Sequence, residues 1–149
     1  MRTSVWLSPT QILAKSSNIG TLKIALRLGE PSLYAGYRRF GFGDVTGLPL
    51  PGEASGVLRP RGRPWFEVET AHASFGQGIS VSTMQLAMAM AAIANGGSLY
   101  EPILVKSIRD AKGESVREYV PRVRREVVSR HVAATVTKML TAVVEEGGT

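Results

Sequence analysis

The sequence predicts an α+β fold, mostly helical, with a β-hairpin in its second half and a helix near its end. Three observations lead there. Residues with helix-capping chemistry precede apolar runs at Ser8-Pro9, Ser82 and Ser129. After Pro102 the apolar spacing shortens to that of strands, on both sides of Ala111-Lys112-Gly113. After Ser129 it returns to a helical period. The chain has 149 residues, the size of one domain. With 44% hydrophobic and 20% charged residues it is ordered and globular.

The elements follow in order. Ser8 caps a first helix, Pro9 sits in its first turn, and Ile12, Leu13 and Ala14 carry it to Lys15–Ser17. A second helix follows Asn18, which suits an N-cap, and carries Ile19, Leu22, Ile24, Ala25, Leu26 and Leu28. Gly29 stops it and Pro31 follows. Ser32 caps a short third helix from Leu33 to Phe40. The Gly/Pro-rich passage from Gly41 to Pro64 is too broken for a helix or central strand and reads as an ordered loop wrapped over a larger body. Ser82 and Gln85 stand at capping-box spacing ahead of a helix that runs to Asn95 and ends at Gly96-Gly97. From Leu86 to Ala94 every residue is apolar, so this helix is expected to be buried all round. Ile103–Arg109 and Ser115–Val120 form the hairpin. Arg122–Val128 is extended or linking. Ser129 caps the last helix, whose stripe is Val132, Val136, Met139, Leu140 and Val143 and whose end is Gly147-Gly148. Glu145 and Glu146 lie off that stripe and read as solvated, since adjacent helical residues do not face each other.

Composition excludes several kinds of chemistry. There are no cysteines, hence no disulfide, thiolate nucleophile or cysteine zinc site. The two histidines, His72 and His131, are far apart and not at ligand spacing, so no metal is expected. No cofactor is expected either: Gly76-Gln77-Gly78 precedes a helix but lacks a P-loop lysine and a Rossmann pattern, and reads as a structural turn. Met1–Ser8 is not a signal peptide, and no apolar run is long enough to span a membrane. The net charge is +6. Its arginine clusters, Arg38-Arg39, Arg59/Arg61/Arg63 and Arg122 with Arg124-Arg125, are scattered and mixed with acids. They read first as a solvated surface, second as a contact with an anionic envelope or partner, and not as a nucleic-acid footprint.

The stretch with most chemical content is Ser16-Ser17-Asn18, on the tight connection between the first two helices. A hydroxyl and a carboxamide two residues apart on such a turn can face one cleft. The hydroxyl can pass a proton, and the amide can hold a carbonyl and a lysine at once. That pair would serve a nucleophilic serine with a partner lysine. Taken alone, the same residues would be ordinary capping residues. No serine of the chain has a lysine three positions on, and no lysine is followed by Thr-Gly.

An ordered set of blocks resembles one family. The blocks are Lys15-Ser16-Ser17-Asn18-Ile19-Gly20, Phe40-Gly41-Phe42-Gly43 with Thr46-Gly47, Leu50-Pro51-Gly52-Glu53 with Gly56, and Ser74-Phe75-Gly76-Gln77-Gly78-Ile79-Ser80. Gln85-Leu86-Ala87, Ala94-Asn95-Gly96-Gly97, Pro102 and Glu146-Gly147-Gly148-Thr149 complete it. Together they resemble the transpeptidase domain of a class B penicillin-binding protein, the type that cross-links peptidoglycan in division or elongation. The likeness covers residues 8–149.

The resemblance implies the serine β-lactamase/penicillin-binding-protein fold, of which residues 1–149 would be a central part: mostly the helical lobe, the hairpin and an incomplete antiparallel sheet. It implies three motifs, Ser-x-x-Lys, Ser-x-Asn and Lys-Thr-Gly. By position, Ser16 would be the serine that relays a proton to the leaving nitrogen and bridges two lysines. Asn18 would be both catalytic and substrate-binding, holding the first lysine and the acyl-chain amide. Ser17 is the variable middle residue, with no chemical role. The other two motifs are expected upstream and downstream, so the chain by itself is expected to be inactive. Its implied partners are peptidoglycan stem peptides, β-lactams and other cell-wall synthesis proteins, with no nucleic acid. The implied parent is anchored in the cytoplasmic membrane, the domain outside it and the anchor not in this chain. Two further readings stand beside this one: a non-catalytic remnant or interaction module of the same fold, and a fragment of a β-lactamase-type serine hydrolase. The resemblance also implies that the helices at 83–95 and 129–146 have partners beyond this segment. At ~1.5–3 kcal/mol per large side chain left exposed, the isolated chain is expected to be marginal, self-associating, or open on one apolar face.

Overall fold

The computed structural model describes residues 6–58, 63–145 and 148. Ten elements follow in order: α1 (Pro9–Ala14), α2 (Asn18–Leu28), α3 (Glu30–Arg39), α4 (Glu67–Ala73), α5 (Thr83–Ala94), β1 (Ser98–Tyr100), β2 (Ser107–Arg109), β3 (Ser115–Glu118), β4 (Val123–Glu126) and α6 (Arg130–Thr141). The architecture is α+β as expected. Helices α1 to α4 pack as one group, while α5 lies on β1 and α6 and α6 also touches α1.

The helix starts that depend on local chemistry lie where the sequence places them. Ser8 accepts the Gln11 N–H while the Gln11 side chain accepts the Ser8 N–H, a closed capping box. Ser82 and Gln85 make the same box at α5. Ser129 caps α6 through the Val132 N–H. Three expectations need correction. The third helix begins at Glu30, with Gly29 as its N-cap and Pro31 in its first turn. Gly29 has φ +83° and turns the chain from α2 straight into α3, so Ser32 is already inside the helix and caps nothing. The last helix ends at Thr141. Beyond it Val143 and Val144 donate to Leu140 and Thr141, the three-residue spacing of a tightening final turn. The expected end at Gly147 lies outside the described residues, as do Arg59, Arg61, Glu146 and Thr149. Finally, α5 is not buried all round. Gln85, Ala89 and Ala92 are buried, whereas Leu86 and Met90, one turn apart, are 51% and 52% exposed. Within the described residues α5 packs on β1 and α6, and its Gln85 reaches the loop at Asp44 and Ser55.

Two elements have no counterpart in the sequence reading. α4 starts without a side-chain cap, because its N-cap residue is Phe66; Glu69 supplies the return bond to the Phe66 N–H at 2.8 Å. β1 and β4 pair antiparallel, Leu99 opposite Arg125, so the extended stretch after Arg122 is a strand. The hairpin is β2 against β3, Ile108 opposite Arg117, and both strands are shorter than the sequence spans.

The core cluster is Ala92, Leu99 and Val127, with Phe40, Met88 and Val128 against it. Gly97 permits this packing. It has φ +104°, and a Cβ there would collide with the Val128 carbonyl. Its own carbonyl accepts the Val127 N–H at 2.8 Å, and its N–H donates to Ala92 at 2.7 Å. The turn leaving α5 is thereby stitched to the strand leading into α6.

The Gly/Pro-rich loop is ordered by polar clips to its own chain. Arg38 pairs with Asp44 at 2.7 Å. The Glu53 carboxylate accepts the N–H groups of Thr46 at 2.6 Å and Gly47 at 3.1 Å. Trp65 donates its indole N–H to Leu58 at 3.1 Å, and Val57 bridges to Ser80. Several of the scattered arginines are thus structural: Arg124 reaches the Val45 carbonyl and Arg125 that of Arg38.

Candidate active site

The Ser16-Ser17-Asn18 turn is built from two helix ends that share a residue. α1 ends at Ala14 and Lys15 is its C-cap. The Ser16 N–H then donates to Leu13 and the Ser17 N–H to Ile12, at 3.0 and 2.9 Å. That pair of bonds is the Schellman closure, which requires a left-handed residue between the C-cap and the closing N–H. Glycine normally takes this place. Here it is Ser16, with φ +48°, the sole non-glycine residue of positive φ among those described. A serine in that region costs on the order of 1–2 kcal/mol. Glycine would relax the turn, so the serine is held there against a local conformational cost.

Ser17 starts α2 while it completes the closure of α1. Its Oγ accepts the Gly20 N–H at 3.2 Å, and its carbonyl accepts the Thr21 hydroxyl at 2.9 Å and the Thr21 N–H at 3.0 Å. The N-cap is therefore Ser17 and not Asn18, which is the first residue of the helix. The reason is steric and local: the closure of α1 leaves Ser17 extended, with φ −77° and ψ 98°, the backbone an N-cap needs. Asn18 is thereby released from capping.

Ser16 and Asn18 are both exposed and Ser17 is half-buried. Neither the Ser16 hydroxyl nor the Asn18 amide is engaged by another described residue. The two side chains flank a residue whose own side chain is spent on holding the turn. The first turn of α2 also lies hard against α1. A methyl placed on Gly20 would come within 2.7, 2.9 and 3.0 Å of the Ile12 Cγ1, Cδ1 and Cγ2 atoms. The cap role of Ser17 and the contact at Gly20 were missed in the sequence. The signal for the first was present, since serine leads the N-cap preferences as strongly as asparagine. The second depends on how two helices cross.

A cavity of about 630 Å³ lies behind the turn, lined by Ile12, Ser17, Ile19, Gly20, Lys23 and Ile24 among others. Ser16 and Asn18 are not in its wall. Its lining is mainly apolar, with Lys23 and Arg27 as its charged side chains. Among the described residues no three His, Cys, Asp or Glu side chains gather as a metal site. His72 is exposed, its ring 6.1 Å from that of Phe75.

The block order and the helix-turn-helix that carries the triplet can now be set beside known proteins. The family model of the penicillin-binding protein transpeptidase domain matches residues 2–149. The chain belongs to that family. This transpeptidase-family chain is 36% identical over 138 residues to stage V sporulation protein D of Bacillus subtilis, a match covering 92% of the chain and 21% of the relative. It is 37% identical over 142 residues to peptidoglycan D,D-transpeptidase FtsI of Escherichia coli K12, covering 95% of the chain and 22% of the relative. Among solved structures it resembles penicillin-binding protein 3 of Mycobacterium tuberculosis complexed with aztreonam: TM-score 0.82, 36% identity, 93% of this chain and 31% of that one. The same protein is also known complexed with ampicillin. The resemblance and the partial transpeptidase fold expected from the motif blocks are borne out. The transpeptidase-family chain spans about a fifth of the length of these curated relatives. Among the described residues no helix is long and apolar enough to cross a membrane.

Proposed function

We propose that this chain supplies the Ser-x-Asn element of a serine D,D-transpeptidase that cross-links peptidoglycan and is acylated by β-lactams. In that reaction a nucleophilic serine, in a Ser-x-x-Lys motif elsewhere in the full-length protein, attacks the penultimate D-Ala carbonyl of a stem peptide. The terminal D-Ala leaves as its nitrogen takes up a proton, and an acyl-enzyme remains. An amine of a second stem peptide then attacks the acyl carbonyl and restores the serine. Ser16 passes the proton to the leaving nitrogen through its hydroxyl. Asn18 holds the lysine of the nucleophile motif with its carbonyl oxygen and the acyl-chain amide with its carboxamide. Residues 1–149 contribute as a central part of the transpeptidase domain, outside the cytoplasmic membrane.

The observation that carries the reading is the left-handed Ser16, held in a family-matched helix-turn-helix beside an exposed and unengaged Asn18. It fits general acid–base work, in which a positioned proton-transfer group contributes about 10²–10⁴-fold. The test is acylation of the full-length protein by a fluorescent penicillin. Ser16→Ala is expected to slow acylation by about 10² or more, and Asn18→Ala to slow it comparably. Acylation of both variants at the wild-type rate would overturn the proposal. The 149-residue chain alone is expected to take no covalent label, and a labelled chain would show that a different nucleophile operates.

A further inference from the structure

We propose that Gly20, through its contact with Ile12, is a positioning residue that sets the direction of the Ser16 hydroxyl and the Asn18 amide. The inference rests on the reading of Ser16 and Asn18 given above. Ser16 belongs to the end of α1 and Asn18 to the start of α2, so the angle between the two helices sets how the two side chains point relative to each other. The hydrogen bonds of the turn reach both helices, but only through the turn residues Ser16 and Ser17 themselves. The Ser16 and Ser17 N–H groups tie it to α1, through Leu13 and Ile12. The Ser17 Oγ and carbonyl tie it to α2, through Gly20 and Thr21. Beside the bonds made through Ser17, the Ile12 side chain of α1 lies directly against the bare Cα of Gly20 in α2.

This contact acts as a stop. Ile12 presents three atoms to Gly20, at 2.7, 2.9 and 3.0 Å from where a Cβ would lie. Its branched Cβ leaves little rotation about χ1, so Cγ1 and Cγ2 stay in place even if Cδ1 turns aside. A methyl at Gly20 must therefore move α1 against α2. In a site that works by geometry, a displacement of about 1 Å costs about 10²-fold in rate. Stability responds differently, because alanine is the better helix former and offsets part of the crowding.

The experiment compares wild-type full-length protein with Gly20→Ala, Ile12→Ala, the double variant and Ser16→Ala. The readouts are the second-order acylation rate with a fluorescent penicillin and the thermal midpoint. G20A is expected to acylate about 10–100-fold more slowly at a midpoint near wild type. I12A, which removes the stop, is expected to be slower by about tenfold and to melt earlier. The double variant, in which the new methyl occupies the space the isoleucine vacated, is expected to acylate faster than G20A while melting below it. A rate that rises as stability falls is an outcome that a purely structural role cannot give. Wild-type rates in G20A and I12A, or a double variant no faster than G20A, would overturn the proposal. Ser16→Ala separates the two levels: slow S16A with normal G20A refutes only the positioning role, whereas normal S16A refutes the site itself.

Discussion

Gln85, in the first turn of α5, donates its Nε2 to the carbonyl of Asp44, 41 residues earlier, at 2.7 Å. The same nitrogen donates to Ser55 at 2.8 Å, and Oε1 accepts the Ser82 N–H at 2.8 Å. The side chain is buried. One carboxamide therefore caps a helix and fastens both arms of the Gly/Pro-rich loop. Gln85→Leu fills similar space but leaves two carbonyls and one N–H without their partner. Leaving a fully buried group without its partner costs ~1–3 kcal/mol, and these part-buried groups lie at the low end of that range. We expect a loss of about 3 kcal/mol in urea denaturation, with the 41–58 loop opening first in hydrogen exchange. An unchanged denaturation midpoint would show that the loop is held by its other clips alone.

The strain at Ser16 separates stability from activity. Ser16→Gly relaxes the left-handed residue, whereas Ser16→Ala retains the strain and removes the same hydroxyl. Allowing for the greater freedom of glycine in the unfolded chain, S16G is expected to be about 1 kcal/mol more stable than S16A. Both should be deficient in acylation. Equal stability of the two would mean that the turn relaxes out of the left-handed region once the hydroxyl is gone.

How much of this was legible in the sequence follows from how local each cause is. The capping boxes at Ser8/Gln11 and Ser82/Gln85 were readable because cap and partner lie three residues apart. The hairpin was readable from its turn. α4 was not, because its start is made by Phe66 and the return bond of Glu69, and its position depends on long-range contacts such as the Tyr37 hydroxyl donating to Ala73 at 2.6 Å. β1 and β4 are separated by the whole hairpin, so their pairing has no local signature. At the site the residue types of Ser16 and Asn18 were visible at once. Which of Ser17 and Asn18 caps α2 was decided by the closure of α1, a backbone conformation that residue identity alone does not fix.

The exposed side of α5 predicts the behaviour of the 149-residue chain in isolation. Leu86 and Met90 lie one turn apart on one face, each about half exposed. That face should bind a hydrophobic dye and favour self-association as concentration rises. Replacing both residues with lysine is expected to reduce dye fluorescence and shift sedimentation toward the monomer. A monomeric wild-type chain without dye binding would refute this expectation.

Glu69 gives a pH dependence whose direction can be worked out. Its carboxylate accepts two hydrogen bonds from Arg63, at 2.6 and 2.7 Å, and the Phe66 N–H at 2.8 Å. The Arg63 guanidinium, aided by the Phe66 N–H, lowers its pKa from 4.5 to about 2. The folded state thus holds the charged form more strongly than the unfolded chain does. The stabilisation is fully present above the unfolded value of 4.5 and is lost as pH falls toward about 2. Glu69→Gln keeps the shape and removes the charge. Its deficit relative to wild type should be constant at neutral pH and shrink on acidification through that window. Salt should shrink it too, because the pair is partly exposed. Denaturation midpoints of both proteins from pH 7 to pH 2 provide the check. A deficit that stays constant across the window would place the contribution of Glu69 in packing at the start of α4 and not in its charge.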